Sequence, residues 1–267
     1  MWTTLDPSRG GLPASYIPRT REQHRVVKLE GKNAVVTGGG AGIGEAIAAR
    51  LAREGAAVVV VDVDEEAGRR VAEENGAAFV AADVTRDEDA EAIASDVDVL
   101  VNNAGGYTDP VFPDAPREHW GRALDLNLRS AMVATHFAVR AMEQRGGGAI
   151  VNIASTAGLG FAPHPSPEYA ATKAGLMRLT ACSASLADRG IRINCVCPYT
   201  VGTAAVRREI AESLAEGRTL PPPLRATLLE PEDVADAVVW LVQNESLAGR
   251  VLVLRGGEPP HLLPAED

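Results

Sequence analysis

The stretch Val35-Val36-Thr37-Gly38-Gly39-Gly40-Ala41-Gly42-Ile43-Gly44 constrains this chain more than any other. A β-branched run enters a cluster of glycines, and an Ala-rich helical pattern, Glu45 to Arg53, leaves it. That order describes a buried strand, a tight turn and a helix N-terminus. Glycine tolerates positive φ and lets a ligand come close to the backbone. The unpaired N–H groups and partial positive charge of a helix start suit a pyrophosphate. Glycines can equally shape an ordinary turn, so context has to decide. It comes from Ala56-Ala57-Val58-Val59-Val60-Val61-Asp62, a second buried strand ending in an acid. An acid at that point is placed to hydrogen-bond the hydroxyls of an adenosine ribose in a βαβ dinucleotide site.

Beyond Asp62 the patterns keep alternating. The spacing predicts a helix over 64–75, a strand over 79–83, a short helix over 87–95 and a strand over 97–101. A Pro- and Asp-rich loop (106–118) precedes a long apolar helix, 118–143, and a strand at 149–153. A loop with Pro163, Pro165 and Pro167 leads to a small-residue helix at 167–188 and a strand at 191–197. A long polar segment follows, then a helix from Pro231 to Asn244 and a last strand, Arg250–Leu254. Such alternation implies one doubly wound α/β domain, its mostly parallel sheet covered on both faces. The expected division is an extension at 1–27, a single domain at 28–257 and a tail at 258–267. The helical stretches 123–142 and 169–187 are apolar nearly all round, through close packing under loops or, as favoured here, a subunit interface.

With 267 residues, 46% of them hydrophobic, the chain can bury one large core. A net charge of −10 argues against a nucleic-acid surface, which needs clustered Lys and Arg. No apolar run approaches the roughly 20 residues that span a bilayer, and the N-terminus lacks the apolar core of a signal peptide. No membrane or nucleic-acid partner is therefore expected, and the plain reading is a soluble cytoplasmic protein. Three cysteines suggest no disulfide framework. Cys195-x-Cys197 would need two further ligands to hold a metal, and none is evident, so buried thiols and no metal are expected.

Tyr169-Ala170-Ala171-Thr172-Lys173 places a phenol and an ammonium four residues apart on one helix face. A free tyrosine titrates at about 10, and bringing it toward 7 takes roughly 4 kcal/mol. A neighbouring cation and an oxidised nicotinamide could supply that between them. Ser155 lies just past a strand end, where open α/β sheets bind ligands. Asn127, an amide among apolar helix residues, needs a partner, because leaving it unpaired costs on the order of 1–3 kcal/mol.

Thr37–Gly44, Asp62, Asp83-Val84, Asn102-Asn103-Ala104-Gly105, Asn127, Ser155, Tyr169, Lys173 and Pro198-x2-Val201-x-Thr203 follow one another in the order of a known family. Together they resemble the short-chain dehydrogenase/reductase family over about residues 30–257. The resemblance implies a Rossmann-like domain, a nicotinamide cofactor and hydride transfer at an alcohol carbon. It makes Tyr169 the acid/base and has Ser155 orient the substrate oxygen. Lys173 would lower the tyrosine's pKa and bind the nicotinamide ribose, and Asn127 would hold a water linking Lys173 to solvent. Gly38, Gly42, Ile43, Gly44 and Asp62 would bind the cofactor, Asp83 and Val84 would flank its adenine, and Asn103, Ala104 and Gly105 would line it. Val201 and Thr203 would contact its carboxamide.

Departures are also visible. Tyr199 stands where the family usually has Gly, and Arg255 where Asp is common. The Ser155–Tyr169 gap is one residue longer than the family's; the extra residue must lie in His164–Glu168, or Thr156 competes for the serine role. His164 reads as a solvated loop residue. The sequence thus points to an NAD-dependent alcohol dehydrogenase or ketone reductase acting on a small secondary alcohol or ketone, uncharged or hydrophobic. A homo-oligomer, tetramer or dimer, is expected. The alternatives are a non-catalytic NAD(H)-binding protein, and a 3-oxoacyl-carrier reductase using Arg207, Arg208, Arg218 or Arg225 near the pocket mouth.

Overall fold

A computed structural model of the protein describes residues 28–107, 112–160, 163–220, 224 and 227–263. The expected extension at 1–27 and the end of the expected tail lie outside the described residues. The β-branched runs form β1 (Asn33–Thr37), β2 (Ala57–Asp62), β3 (Ala78–Ala81), β4 (Val99–Asn102), β5 (Gly148–Ile153), β6 (Ile191–Pro198) and β7 (Val251–Leu254). These seven pair in parallel, and His261–Leu262 adds a short antiparallel β8. The strand order is β3-β2-β1-β4-β5-β6-β7-β8, so the winding reverses between β1 and β4. A crevice opens at such a reversal, outside the carboxyl ends of the strands.

Residue alternation divides the core. Ala34, Val36, Val58, Val60 and Val101 face one way, against Ile47 and Leu51 of α1 (Gly42–Arg53), Val71 of α2 (Glu65–Asn75) and Val238 and Leu241 of α8 (Pro231–Gln243). Val35, Val61, Leu100 and Ile150 face the other, against Ile93 of α3 (Asp87–Ala94) and Ala138 and Met142 of α5 (Ser130–Gln144). Further along, Cys195, Cys197, Val251 and Val253 meet Met177 of α6 (Pro167–Cys182). The doubly wound, mostly parallel sheet implied by the sequence is the observed fold.

A buried polar line crosses the middle of the sheet. Asn102 donates to Thr135 of α5 and to Asn152, and Asn152 donates to Thr180 of α6. Each amide is thereby satisfied, as burial requires.

Several elements differ from expectation. The third strand ends at Ala81, because the Asp83 amide turns to the Asp89 carboxylate at the start of α3. The long helix at 118–143 is α4 (Arg117–Leu124), a π-turn (Asp125–Arg129) and α5. The helix begun at Pro167 stops at Cys182 and continues as a tighter 3₁₀ segment, Ala184–Arg189. The long polar segment contains a helix, α7 (Ala204–Ala215), started by Thr203, whose hydroxyl accepts the Val206 N–H. The stretch placed in a tail after residue 257 contributes β8 to the sheet.

Candidate active site

A cavity of about 730 Å³ opens along the carboxyl edge of the sheet, from the glycine turn to the N-terminal half of α6. Its size suits a small-molecule site. Gly38, Gly42, Ile43, Gly44, Asp62, Asp83, Val84, Asn103, Ala104, Gly105, Ser155, Tyr169, Lys173, Val201 and Thr203 all line it. Asn127 does not line it.

The turn is built to leave room. Gly38 and Gly42 take positive φ, 61° and 56°. A Cβ on Gly44 would collide with the Gly38 carbonyl and lie 2.6 Å from the Asn103 amide nitrogen. Asn103 explains this crowding: its Nδ2 donates to the Thr37 and Gly38 carbonyls, both at 2.9 Å. Thr37 Oγ1 accepts the N–H groups of Asn103 and Ala104, each at 3.1 Å, stitching the ends of β1 and β4 together. Asn103 therefore holds the shape of the turn as well as lining the cavity. The Asp62 carboxylate accepts N–H groups from Gly40 (2.9 Å) and Asp64 (3.0 Å), so it is fixed beside the turn. Arg70 of α2 also reaches this corner, 3.4 Å from the Gly40 carbonyl, but it is ion-paired with Glu45 and Glu74.

On the other side, α6 starts at Pro167, a residue suited to the first helical turn. It places Tyr169 and Lys173 toward the end of β5. Lys173 is 4% exposed, and its Nζ donates to the Ile153 carbonyl at 2.9 Å and lies 5.5 Å from the Tyr169 ring centre. Burial without a carboxylate partner lowers its pKa to about 8. Ser155 is extended, accepts the Ala157 N–H, and has its hydroxyl within hydrogen-bonding reach of the Tyr169 phenol. The Ser155–Tyr169 pairing follows from a close fit, since a Cβ on Gly158 would strike the α6 backbone at Lys173 and Ala174. Thr156 instead opens the short 3₁₀ turn, Thr156–Gly158.

The phenol departs from the expectation of a lowered pKa. Burial, followed by the nearby Tyr107, holds Tyr169 above its ordinary value, and the Ser155 hydrogen bond only partly offsets this. Tyr169 in the free protein is a neutral acid.

Asn127 sits in the π-turn, which aims its amide at the loop after β4. Its Oδ1 accepts the Gly106 N–H at 2.9 Å, and its Nδ2 donates to the carbonyls of Gly106 and Ala123, both at 3.0 Å. Both amide hydrogens are used, so only a second lone pair of Oδ1 remains for a water. A Cβ on Gly105 would lie 2.6 Å from this oxygen and 3.1 Å from Lys173 Nζ, so both groups crowd the space that a side chain at Gly105 would take.

The sequence reading missed Tyr107. Its ring centre lies 4.3 Å from Tyr169 and 5.8 Å from His164, and His164 lies 5.9 Å from Tyr169. His164 thus stands beside the candidate acid. Tyr107 follows Asn103–Gly105 by two residues, so its place at the strand end was open to view. Of the cations proposed for the pocket mouth, Arg207 is paired with Glu230 and Arg218 with Glu216, Arg208 lines the cavity, and Arg225 lies outside the described residues.

The short chain dehydrogenase family matches residues 32–213. The chain is 33% identical to a mitochondrial borneol dehydrogenase of Lavandula x intermedia, over 86% of this chain and 91% of that one. It is 34% identical to a cyclopentanol dehydrogenase of Comamonas sp., over 86% and 98% of the two chains. A solved 7α-hydroxysteroid dehydrogenase, complexed with NADH and 7-oxo glycochenodeoxycholic acid, superposes with a TM-score of 0.75 at 31% identity, covering 86% of this chain and 95% of that one. The glycine turn braced by Asn103, the Ser155–Tyr169–Lys173 group and these likenesses agree: the chain is an oxidoreductase of the short-chain dehydrogenase/reductase family.

Proposed function

We propose that the protein is an NAD-dependent oxidoreductase moving a hydride between nicotinamide and the carbinol or carbonyl carbon of a small secondary alcohol or ketone. The observation that carries this reading is the convergence of Ser155, Tyr169 and Lys173 on the cavity that the glycine turn also lines. The crowded turn leaves room for a pyrophosphate only because Gly38, Gly42 and Gly44 lack side chains. Gly38, Gly42, Ile43 and Gly44 would hold the pyrophosphate, Asp62 the adenosine ribose, and Asp83 and Val84 the adenine. Asn103, Ala104, Gly105, Val201 and Thr203 would line the nicotinamide half. The bound dinucleotide supplies the hydride acceptor or donor.

The chain's own groups handle the proton. Tyr169, neutral and hydrogen-bonded to Ser155, is suited to give its proton to the substrate oxygen during reduction. In oxidation the same phenol would have to lose its proton first, and the Lys173 ammonium is the cation close enough to favour that. Ser155 would hold the substrate oxygen against the phenol. The remaining lone pair of Asn127 Oδ1 would take a water on the Lys173 side. Three of the chain's four tyrosines, Tyr107, Tyr169 and Tyr199, line the cavity. Such an aromatic wall suits a ring-shaped carbon skeleton. The names of the borneol and cyclopentanol relatives support a cyclic alcohol or ketone. A homo-oligomer is proposed through α5 and α6, where Met132, Ala171 and Ala174 are exposed.

Replacing Tyr169 by Phe tests the assignment, with NADH formation followed across a panel of secondary alcohols. Turnover should fall by at least roughly 10²–10⁴ while NADH affinity changes little. Retention of most activity would move the proton to His164, the titratable group stacked on Tyr169.

A further inference from the structure

We propose that Arg255, stacked on Tyr199, is a subsite for a carboxylate carried by the substrate; this rests on the alcohol and ketone reading above and replaces the uncharged substrate expected from sequence. The two positions that depart from the family's pattern meet in space. β6 and β7 run side by side, with Cys197 opposite Val253 and Pro198 opposite Leu254, so Tyr199 and Arg255 leave the sheet together at its ligand-binding edge. Alternation puts Tyr199 on the face of Cys195 and Cys197, and Arg255 on the face of Val251 and Val253. Those four residues pack with Met177 of α6, the helix that carries Tyr169 and Lys173. The guanidinium lies 5.4 Å from the Tyr199 ring centre; Tyr199 lines the cavity, and Arg255, outside that lining, adjoins it through this ring. Its charge also reaches the Cys197 thiol on the same face.

The other half-buried arginines of the described residues have partners: Arg50 pairs with Glu54 and Asp236, Arg192 donates to the carbonyls of Leu241, Val242 and Asn244, and Arg250 donates to the Leu263 carbonyl. Half-buried Arg255 has neither an ion pair nor a side-chain hydrogen bond among the described residues, although the chain holds 36 acids against 26 Lys and Arg. A partly desolvated cation is costly unless an anion meets it. The acids lining the cavity, Asp62 and Asp83, lie at its β2–β3 end, whereas Lys173 of α6 lines it beside the end of β5 and Arg208 of α7, with no ion pair among the described residues, lines it further on. The Tyr199 ring beneath the guanidinium restricts where it can move, and its planar fork is the shape that matches a carboxylate. A neutral ring compound would leave that fork unmet.

The test compares an oxocyclohexane carboxylate with its methyl ester, using the wild type, Arg255→Met and Arg255→Lys. Binding to the NADH complex is read from the rise in melting temperature, and turnover from NADH oxidation. NADH binding by each variant confirms that it has folded. The wild type should bind the acid roughly 10- to 100-fold more tightly than the ester, the range of a charge-assisted hydrogen-bonded pair. Arg255→Met should abolish that preference, through KM more than kcat, and Arg255→Lys should keep part of it. An acid that binds no better than its ester, or a preference that survives in Arg255→Met, overturns the proposal. If the preference stands but neither compound is reduced, the alcohol and ketone reading fails and the carboxylate subsite stands.

Discussion

Replacing Lys173 by Met should change how stability depends on pH. Among the described residues the ammonium, 4% exposed, is bonded only to the Ile153 carbonyl, and burial lowers its pKa from 10.5 to about 8. In the unfolded chain the group returns to its ordinary value. Between those two values the unfolded state holds a proton that the folded state has released, so stability rises with pH. The contribution is complete above the unfolded value and is lost as pH falls through the folded one. At 1.36 kcal/mol per unit, a gap of this size corresponds to about 3 kcal/mol, of which about 2 to 3 should be visible between pH 7 and 10. Methionine keeps an unbranched apolar stem and cannot titrate. Urea unfolding of both proteins across that range therefore isolates the lysine, because other groups cancel in the difference. Tyr169, shifted upward, acts with the opposite sign and only above its ordinary value near 10. The wild type should gain on the variant as pH rises; parallel curves would refute the picture of a buried lysine without a counter-charge.

Other outcomes follow from the geometry. Gly44→Ala should cost about 1–3 kcal/mol and abolish NADH fluorescence enhancement, because its Cβ meets Gly38 and Asn103, whereas Gly121→Ala in α4, with open space around it, should be neutral or stabilising in a melting assay. NAD should be preferred to NADP by about two orders of magnitude, since a 2′-phosphate about 5 Å from Asp62 would meet roughly 3 kcal/mol of repulsion per charge. Asp62→Ala should erase most of that ratio, and equal use of both cofactors by the wild type would show that the carboxylate is turned away. Light scattering at micromolar concentration should give a multiple of the 28.0 kDa chain mass.

Much of this molecule could be read from residue order. Strand and helix periods located nearly every element, and the glycine turn with its terminal acid predicted the site end of the sheet. What escaped depended on contacts between distant residues. The π-turn carrying Asn127 has the apolar pattern of an ordinary helix, and only the Gly106 backbone reveals why the extra residue is there. Helix α7 hid in charge, although Thr203 and the Ile210–Leu214 spacing could have marked it. The upward shift of Tyr169 was invisible because burial, its main cause, and the nearness of Tyr107 arise only on folding. Likewise Tyr199 and Arg255 looked like two separate oddities until parallel strands brought them together.

The two residues of β8 carry a burden out of proportion to their length. β7 is Val251-Leu252-Val253-Leu254, fully buried, and β8 covers the side of it that faces away from β6. Removing the segment after residue 257 would leave every residue of the proposed chemistry in place. It would also uncover an apolar strand edge with unpaired N–H and C=O groups, a template for edge-to-edge pairing between molecules. A shortened chain should therefore fail first in solubility, by self-association in concentrated solution, and a fusion partner belongs at the other end of the protein.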